Sequence, residues 1–188
     1  MKNNLVILSL LLVPIVLSAQ SIFEKYEDQE YVTSVVVNQK MFKMLANIDI
    51  QTNDHDSDAF INQVKMLDNL TVYTTDNIGV SNSMKKDVEK YIKNSKLEEL
   101  MRIKDGDQTV NFFVLEGKDD NHVKELLMFV NGLGDNTKNE NISINGKQRV
   151  IETVLLSLTG DIDLRQVSKL TNQLNVPGGD QLKKATKK

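Results

Sequence analysis

The sequence predicts an α+β domain in which helices pack on a mixed β-sheet. Residues 31–37 (YVTSVVV) are rich in the β-branched side chains that favour strands. Several later segments carry apolar residues three to four positions apart, the spacing of a helix with one buried face. Asp105-Gly106-Asp107 separates two strand-like segments, and Asp-Gly is a strong hairpin signal. Since helical connections imply crossovers and a hairpin is antiparallel, both kinds of strand pairing are expected in one sheet.

The first half of the chain is predicted to alternate strands with capped helices. Asn38 and Ser57 have side-chain oxygens that can cap helices, and Ser81 or Ser83 can begin a third helix. In chain order, the predicted elements are a strand over 31–37, a helix over 39–48, a helix over 57–69, a strand over 70–75 and a helix over 81–93.

The second half is predicted to begin with the hairpin and to end with a strand and a helix. Asp119 or Asp120 is expected to cap a helix that Gly132 ends, and Asp163 is expected to cap the last helix. The nearly continuous apolar segment 153–158 (TVLLSL) indicates a central strand covered on both faces. In chain order, the predicted elements are strands over 97–104 and 109–116, a helix over 120–131, a small hairpin at Asn145-Gly146, a strand over 153–158 and a helix over 163–174.

This order of elements contains a weak internal duplication. Residues 22–94 and 96–175 are each predicted to contain the order strand, helix, strand, helix, and in both the second strand leads into an Asp-containing turn. The spacing between corresponding elements differs because residues 132–148 are inserted in the second half. A true duplication and a chance repeat of the order are both open at this point.

The N-terminus has the layout of a cleavable secretory signal. Lys2 gives a positive start, residues 5–17 are largely apolar, and Ser18-Ala19 offers small residues at the exit. The apolar stretch is shorter than the roughly 20 residues that a spanning helix needs, and no later segment reaches that length. We therefore expect a protein that is periplasmic or secreted, without a transmembrane segment in its mature form. Its parts are a signal peptide at 1–19, a single α+β domain at 20–182 and a lysine-rich tail at 183–188.

Charge and cysteine content exclude several classes of protein and site. The 23 basic and 26 acidic residues give a net charge of −3, and loss of Lys2 with the signal gives −4. Nucleic acid is not an expected partner, because phosphate binding needs a basic surface. The chain has no cysteine, which excludes disulfides, thiolate zinc sites, thiol nucleophiles and a lipid anchor on a cysteine.

Residues 53–58 (NDHDSD) form the densest acidic cluster. Asp54, Asp56 and Asp58 imitate the first ligands of a calcium loop, but Ala59 and Lys65 stand where that loop needs Gly and Glu. The favoured interpretation is a solvated loop whose last residues cap a helix, and a weak cation site is the alternative.

Two histidines and three acidic pairs are the remaining candidates for chemistry. His55 lies in the acidic loop, and His122 lies in the first turn of a predicted helix. The acidic pairs could serve carboxylate-dependent hydrolysis, although helix capping explains two of them. No nucleophile elbow, phosphate-binding loop or tryptophan supports a catalytic site. We therefore expect no catalytic, cofactor-binding or metal-binding residues and no cofactor. The pairs are Glu98-Glu99, Asp119-Asp120 and Asp161 with Asp163.

Three segments resemble a known family: 96–103 (KLEELMRI), 116–132 (EGKDDNHVKELLMFVNG) and 152–163 (ETVLLSLTGDID). The chain is similar, from about Phe23 to about Gln181, to an uncharacterised family of exported Gram-negative bacterial proteins, the domain of unknown function numbered four-two-five-two. The resemblance implies an envelope or extracytoplasmic location. These segments are not active-site motifs, so the resemblance transfers no functional residue.

The expected function is that of a non-catalytic extracytoplasmic binding protein of the bacterial envelope. The expected partner is a protein or peptide that docks at a sheet edge, where strands offer unpaired backbone groups. The candidate edge is the hairpin at Leu97–Glu116. The alternative is a carboxylate-dependent hydrolase that acts on an envelope polymer, with two converging acidic side chains, one of them desolvated.

Overall fold

A computed structural model of the chain describes residues 20–47, 61–134, 143–144, 147–148 and 151–166. Its helices are α1 (Gln20–Phe23), α2 (Gln39–Ala46), α3 (described over 61–65) and α4 (Ile78–Asn94), with a 3₁₀ turn at Glu24–Tyr26 and a helical turn at 164–166. Its strands are β1 (Val32–Asn38), β2 (Leu67–Thr75), β3 (Glu98–Asp105), β4 (Gln108–Glu116), β5 (His122–Asn131), β6 (Ser143–Ile144), β7 (Lys147–Gln148) and β8 (Thr153–Asp163). No helix in these ranges is long and apolar enough to cross a membrane.

Six strands form one sheet in the order β1-β2-β8-β5-β4-β3, and every neighbouring pair is antiparallel. The α+β class is confirmed, but the predicted mixed sheet is wrong. The reason lies in the connections: the helical segment between β1 and β2 joins antiparallel neighbours, and α4 carries the chain from β2 to β3 at the far edge of the sheet. Helical connections therefore produce no parallel neighbours here.

The predicted helix over 120–131 is also wrong, because this segment forms β5. The apolar run 126–130 is buried on both sides of the sheet, so its spacing fits a doubly covered strand as well as a helix. Asp119 and Asp120 consequently cap no helix there, and Gly132 follows a strand rather than ending a helix. The second half does not repeat the order strand, helix, strand, helix, and the duplication is unconfirmed.

Other predicted elements are confirmed. Asn38 caps α2 by accepting a hydrogen bond from the Met41 amide at 3.1 Å. The helix expected at 81–93 begins earlier, where Asn77 accepts from the Val80 amide at 3.1 Å. The hairpin of β3 and β4, the small hairpin of β6 and β7 and the central position of β8 are as predicted.

Several predictions concern residues outside the described ranges. These are the signal peptide at 1–19, the cap at Ser57, the acidic loop with Asp54, His55, Asp56 and Asp58, most of the last helix and the tail at 183–188.

Both faces of the sheet are covered. One face packs against α2 and α3, and we call it the α2 face. The other packs against α4 and the N-terminal helical segment, and we call it the α4 face. Adjacent residues of a strand point to opposite faces, so the central strands contribute to both cores. The β5 and β8 residues on the α2 face are Val123, Leu126, Met128, Val130, Val154, Leu156, Leu158 and Ile162, and those on the α4 face are Leu127, Phe129 and Leu155.

A side-chain clamp fixes α3 to the end of β8. The amide of buried Gln63 donates to the Asp161 carbonyl oxygen at 2.9 Å, and its own oxygen accepts from the Asp163 amide at 2.9 Å. Both polar ends of Gln63 are thus satisfied by one strand, which fixes the register of the helix on the sheet.

Gly160 stands at the irregularity where β2 and β8 change register. Its φ is 138°, in the region that favours glycine, and a Cβ there would overlap the Met66 carbonyl oxygen and lie 2.8 Å from the Leu67 Cα. Close approach of the two backbones therefore requires glycine at this position.

We expect Gly160→Ala to destabilise the chain by about 2 kcal/mol or more, since it adds both backbone strain and overlap. Gly106→Ala is the matched control: its φ is 58° but no atom lies within 4 Å of the added Cβ, so strain alone should cost about 1 kcal/mol. Urea unfolding of both variants measures the difference, and equal losses would contradict the role of the close approach.

Candidate functional site

Some of the predicted chemical residues do meet at one end of the sheet. His122 opens β5, its Nδ1 lies 2.7 Å from Asp119 Oδ1, and it is paired in register with Asp163 of β8. The hydrogen bond from His122 holds the pKa of Asp119 below its usual range. Arg165 does the same for Asp163, with Nη2 2.7 Å from Oδ2. A general acid needs the opposite shift, so these carboxylates suit structural ion pairs.

The remaining acidic candidates are also occupied or separate. Lys118 Nζ lies 2.6 Å from Asp161 Oδ2. Glu99 pairs with Arg102 on β3, and Glu98 is exposed near the start of the same strand. Within the described ranges, no three His, Cys, Asp or Glu residues are grouped so that they could hold a metal ion.

A carboxyl group that the sequence did not single out is buried between α4 and the sheet. Glu125 of β5 is only 4% exposed and faces α4. The Tyr91 hydroxyl donates to its Oε2 at 2.8 Å, and the Ser157 hydroxyl approaches its Oε1 at 3.4 Å. Tyr91 in turn packs edge-on against Phe23, with ring centroids 5.3 Å apart. The carboxyl is therefore held by neutral hydroxyl groups inside an apolar layer.

Burial dominates the electrostatics of this network. It raises the pKa of Glu125 above the ordinary 4.5, and the hydrogen bonds from Tyr91 and Ser157 only partly oppose this. Burial and the adjacent Glu125 raise the pKa of Tyr91 as well. Glu125 is not among the predicted candidates because the apolar spacing of segment 120–131 predicts a helix, and a glutamate in such a helix is ordinarily exposed. Strand alternation with Leu127 and Phe129 was the signal that could have found it.

A second polar network lies at the other end of α4. The Ser81 hydroxyl lies 2.6 Å from Thr153 Oγ1 and donates to Asn131 Oδ1 at 3.0 Å. It satisfies the buried polar groups between the helix and the central strands. The three side chains of this network are neutral, so none of them can act as a general acid or base.

The two sheet edges differ in charge. β3, part of the hairpin expected as a docking edge, does form one edge. Its pairing with β4 shifts between Glu99 and Met101, leaving Leu100 as a bulged residue that is 51% exposed. Charged side chains and bulges are devices by which proteins prevent strand addition. The charged residues of β3 are Glu98, Glu99, Arg102, Lys104 and Asp105.

The opposite edge, β1, has neither charged side chains nor a bulge. Its residues Val32–Asn38 (VTSVVVN) carry no charge and pair with β2 without a register shift. Val35 and Val36 are 50% and 46% exposed and point to opposite faces of the sheet. The outer side of Val32–Asn38, which we call the β1 edge, is therefore an uncharged, regular strand edge. At its start, the Val32 amide donates to the Gln29 carbonyl oxygen at 3.2 Å and the Ser34 hydroxyl donates to the Glu27 carbonyl oxygen at 3.0 Å, whereas Val35 and Val36 are exposed.

The helix that follows this edge, α2, also carries exposed apolar side chains. Gln39 Nε2 donates to Asp68 Oδ1 of β2 at 2.8 Å, so that side of the helix faces β2. Met41 and Leu45 lie roughly 120–160° around the helix from Gln39, on the side away from β2. They are exposed, as is Met44. Exposed apolar side chains thus occur both on β1 and on the helix that follows it.

Comparison with known proteins gives a family but no described relative. The family model described as a domain of unknown function, DUF4252, matches residues 26–170, which include β1 and the whole six-stranded sheet. No curated protein and no solved structure matches the chain.

The buried carboxyl predicts a specific pH dependence. Unfolded Glu125 ionises near its ordinary pKa of 4.5, whereas folded Glu125 keeps its proton to a higher pH. Its contribution to the free energy of unfolding is thus fully present below pH 4.5 and is lost as the pH rises through the folded pKa. Each unit by which the pKa is raised corresponds to about 1.4 kcal/mol at neutral pH.

We therefore expect Glu125→Gln to gain stability relative to the wild type as the pH rises above 4.5. Urea unfolding between pH 4 and pH 8 measures this difference. Glu89→Gln, on an exposed position of α4, is the control and should follow the wild-type curve. Parallel curves for the wild type and Glu125→Gln would contradict the assignment of a desolvated carboxyl.

Proposed function

The chain belongs to the DUF4252 family, and we propose that it is a non-catalytic binding protein of the bacterial envelope that takes up an extended polypeptide segment along the β1 edge. The observation that carries the proposal is the uncharged, regular edge of β1, in which Val35 and Val36 are exposed. Strand addition supplies main-chain hydrogen bonds, while pockets for alternate side chains supply specificity.

The β1 edge is favoured over the 97–116 hairpin because a docked strand would desolvate the charges of β3. Burying an unpaired charge is costly, and the bulge at Leu100 interrupts regular pairing. A strand beside β1 meets Val35 on one face and Val36 on the other, so it buries apolar surface on both sides.

The extracytoplasmic part of the proposal is supported by the N-terminal sequence. Residues 1–19 combine a positive start, an apolar stretch and a small-residue exit, which is the layout of an exported precursor. The cysteine-free composition is compatible with a protein that folds in an oxidising compartment, since no thiol can be cross-linked there.

The second candidate function is a hydrolase acting on an envelope polymer. The observation in its favour is the raised pKa of Glu125, the shift that a general acid requires. Its hydrogen bonds come from Tyr91 and Ser157, whereas hydrolysis of a glycosidic bond uses a pair of carboxyl groups. Release of soluble fragments from purified peptidoglycan, abolished by Glu125→Gln, would favour this candidate over a binding role.

The binding proposal predicts that an uncharged extended peptide adds to β1. The probe is a synthetic seven-residue peptide of alternating threonine and valine with blocked ends, followed by amide NMR shifts of the isotope-labelled chain. Shifts should centre on Val32–Asn38, and Val35→Lys should weaken binding about tenfold because it buries a charge in the added strand pair.

Leu100→Lys is the matched control, since Leu100 is an equally exposed apolar residue on the other edge strand. It should leave the affinity for the peptide unchanged. Shifts that centre on β3, or equal weakening by both substitutions, would overturn the proposed docking edge.

A further inference from the structure

We infer that the partner of the β1 edge is a second copy of this chain, paired antiparallel through β1 about a two-fold axis. The inference rests on the proposed function, because it concerns the same edge, and it names the segment that docks there. The two six-stranded sheets would then form one continuous sheet with β3 at each outer edge. Such a two-fold interface presents the same surface from each copy and is the commonest way for identical chains to associate.

The sequence of β1 is compatible with itself in this arrangement. With Val35 on the two-fold axis, Val32 lies opposite Asn38, and Ser34 lies opposite Val36. Every side chain in the seven-residue strand is uncharged, so pairing buries no charge. The paired strands bury the exposed fractions of Val35 and Val36 on both faces of the new sheet.

The charges that flank β1 complement each other in the same register. Glu30 lies two residues before the strand and Lys40 two residues after it, and both are exposed. Antiparallel pairing about Val35 sets the acidic end of one copy beside the basic end of the other, so that Glu30 of one copy lies near Lys40 of its partner. A parallel arrangement would bring like charges together. Complementary flanking charges therefore favour the antiparallel direction.

The other edge lacks this self-complementarity. Antiparallel pairing of Glu98–Asp105 with itself would place Glu98 opposite Asp105, two like charges, at each end of the interface. The bulge at Leu100 would also interrupt the ladder of backbone hydrogen bonds. Self-association through β3 is thus less favourable than through β1.

The mass of the purified full chain, measured by sedimentation equilibrium over a range of concentrations, tests the inference. We expect a reversible dimer that Val35→Lys weakens at least about tenfold, since two like charges would meet on the axis. Leu100→Lys should leave the dissociation constant unchanged. Circular dichroism of each variant checks that it is folded.

Charge reversal tests the direction of pairing without altering the uncharged strand. Glu30→Lys and Lys40→Glu should each weaken the dimer several-fold, by about the strength of two exposed ion pairs, and more at low salt than at high salt. The double variant should restore the dissociation constant to within about twofold of the wild type, because both pairs are rebuilt with opposite sign.

Three results would overturn the inference: a monomer at every concentration, a dimer disrupted by Leu100→Lys but not by Val35→Lys, or no rescue by the double reversal. Different outcomes test the proposed function, peptide binding at the β1 edge. A chain that is monomeric but still binds the alternating peptide at β1 keeps its binding role and loses self-pairing. A chain that neither dimerises nor binds the peptide loses both.

Discussion

Burial of β5 and β8 on both faces is the constraint on which the rest of the structure depends. The runs at 126–130 and 153–158 are buried in every position, so each strand needs apolar cover above and below the sheet. The α2 and α3 segments supply one cover, and α4 with the N-terminal helical segment supplies the other. The sheet that they cover is antiparallel throughout, with β5 and β8 as direct neighbours, and the helices pass over its faces without linking parallel neighbours.

Two-sided burial also explains why polar groups appear beneath α4. Glu125 and Ser157 lie on β5 and β8, the strands that α4 covers. The Tyr91 hydroxyl of α4 donates a hydrogen bond to the Glu125 carboxyl group. A buried carboxyl held only by hydroxyl groups is costly when ionised and acceptable when protonated. Its stabilising contribution is therefore conditional on pH, whereas the neutral Ser81, Thr153 and Asn131 network at the other end of α4 is not.

Sequence patterns predicted the elements whose local signals agree with their burial. The β-branched segment at 31–37, the Asp-Gly hairpin and the cap at Asn38 each have a local physical cause, and the structure has them nearly where expected. The helix prediction for segment 120–131 was wrong because its apolar spacing fits both a helix with one buried face and a strand buried on both faces. Only the position of the segment between β4 and β8 distinguishes the two. The burial of Glu125 can be deduced only when this segment is known to be a strand. The β1 edge depends on strand order, which local patterns do not contain.

The unequal edges connect the fold to its proposed role. A six-stranded open sheet must expose two edges, and an edge without charges or bulges is a hazard for any protein that remains monomeric. β3 carries both protective devices and β1 carries neither, although charged residues flank β1 on each side. Charges placed beside an apolar edge rather than within it leave the backbone free to pair while restricting which strand can pair and in what direction. That arrangement is what a specific docking edge needs, and it differs from simple protection against aggregation.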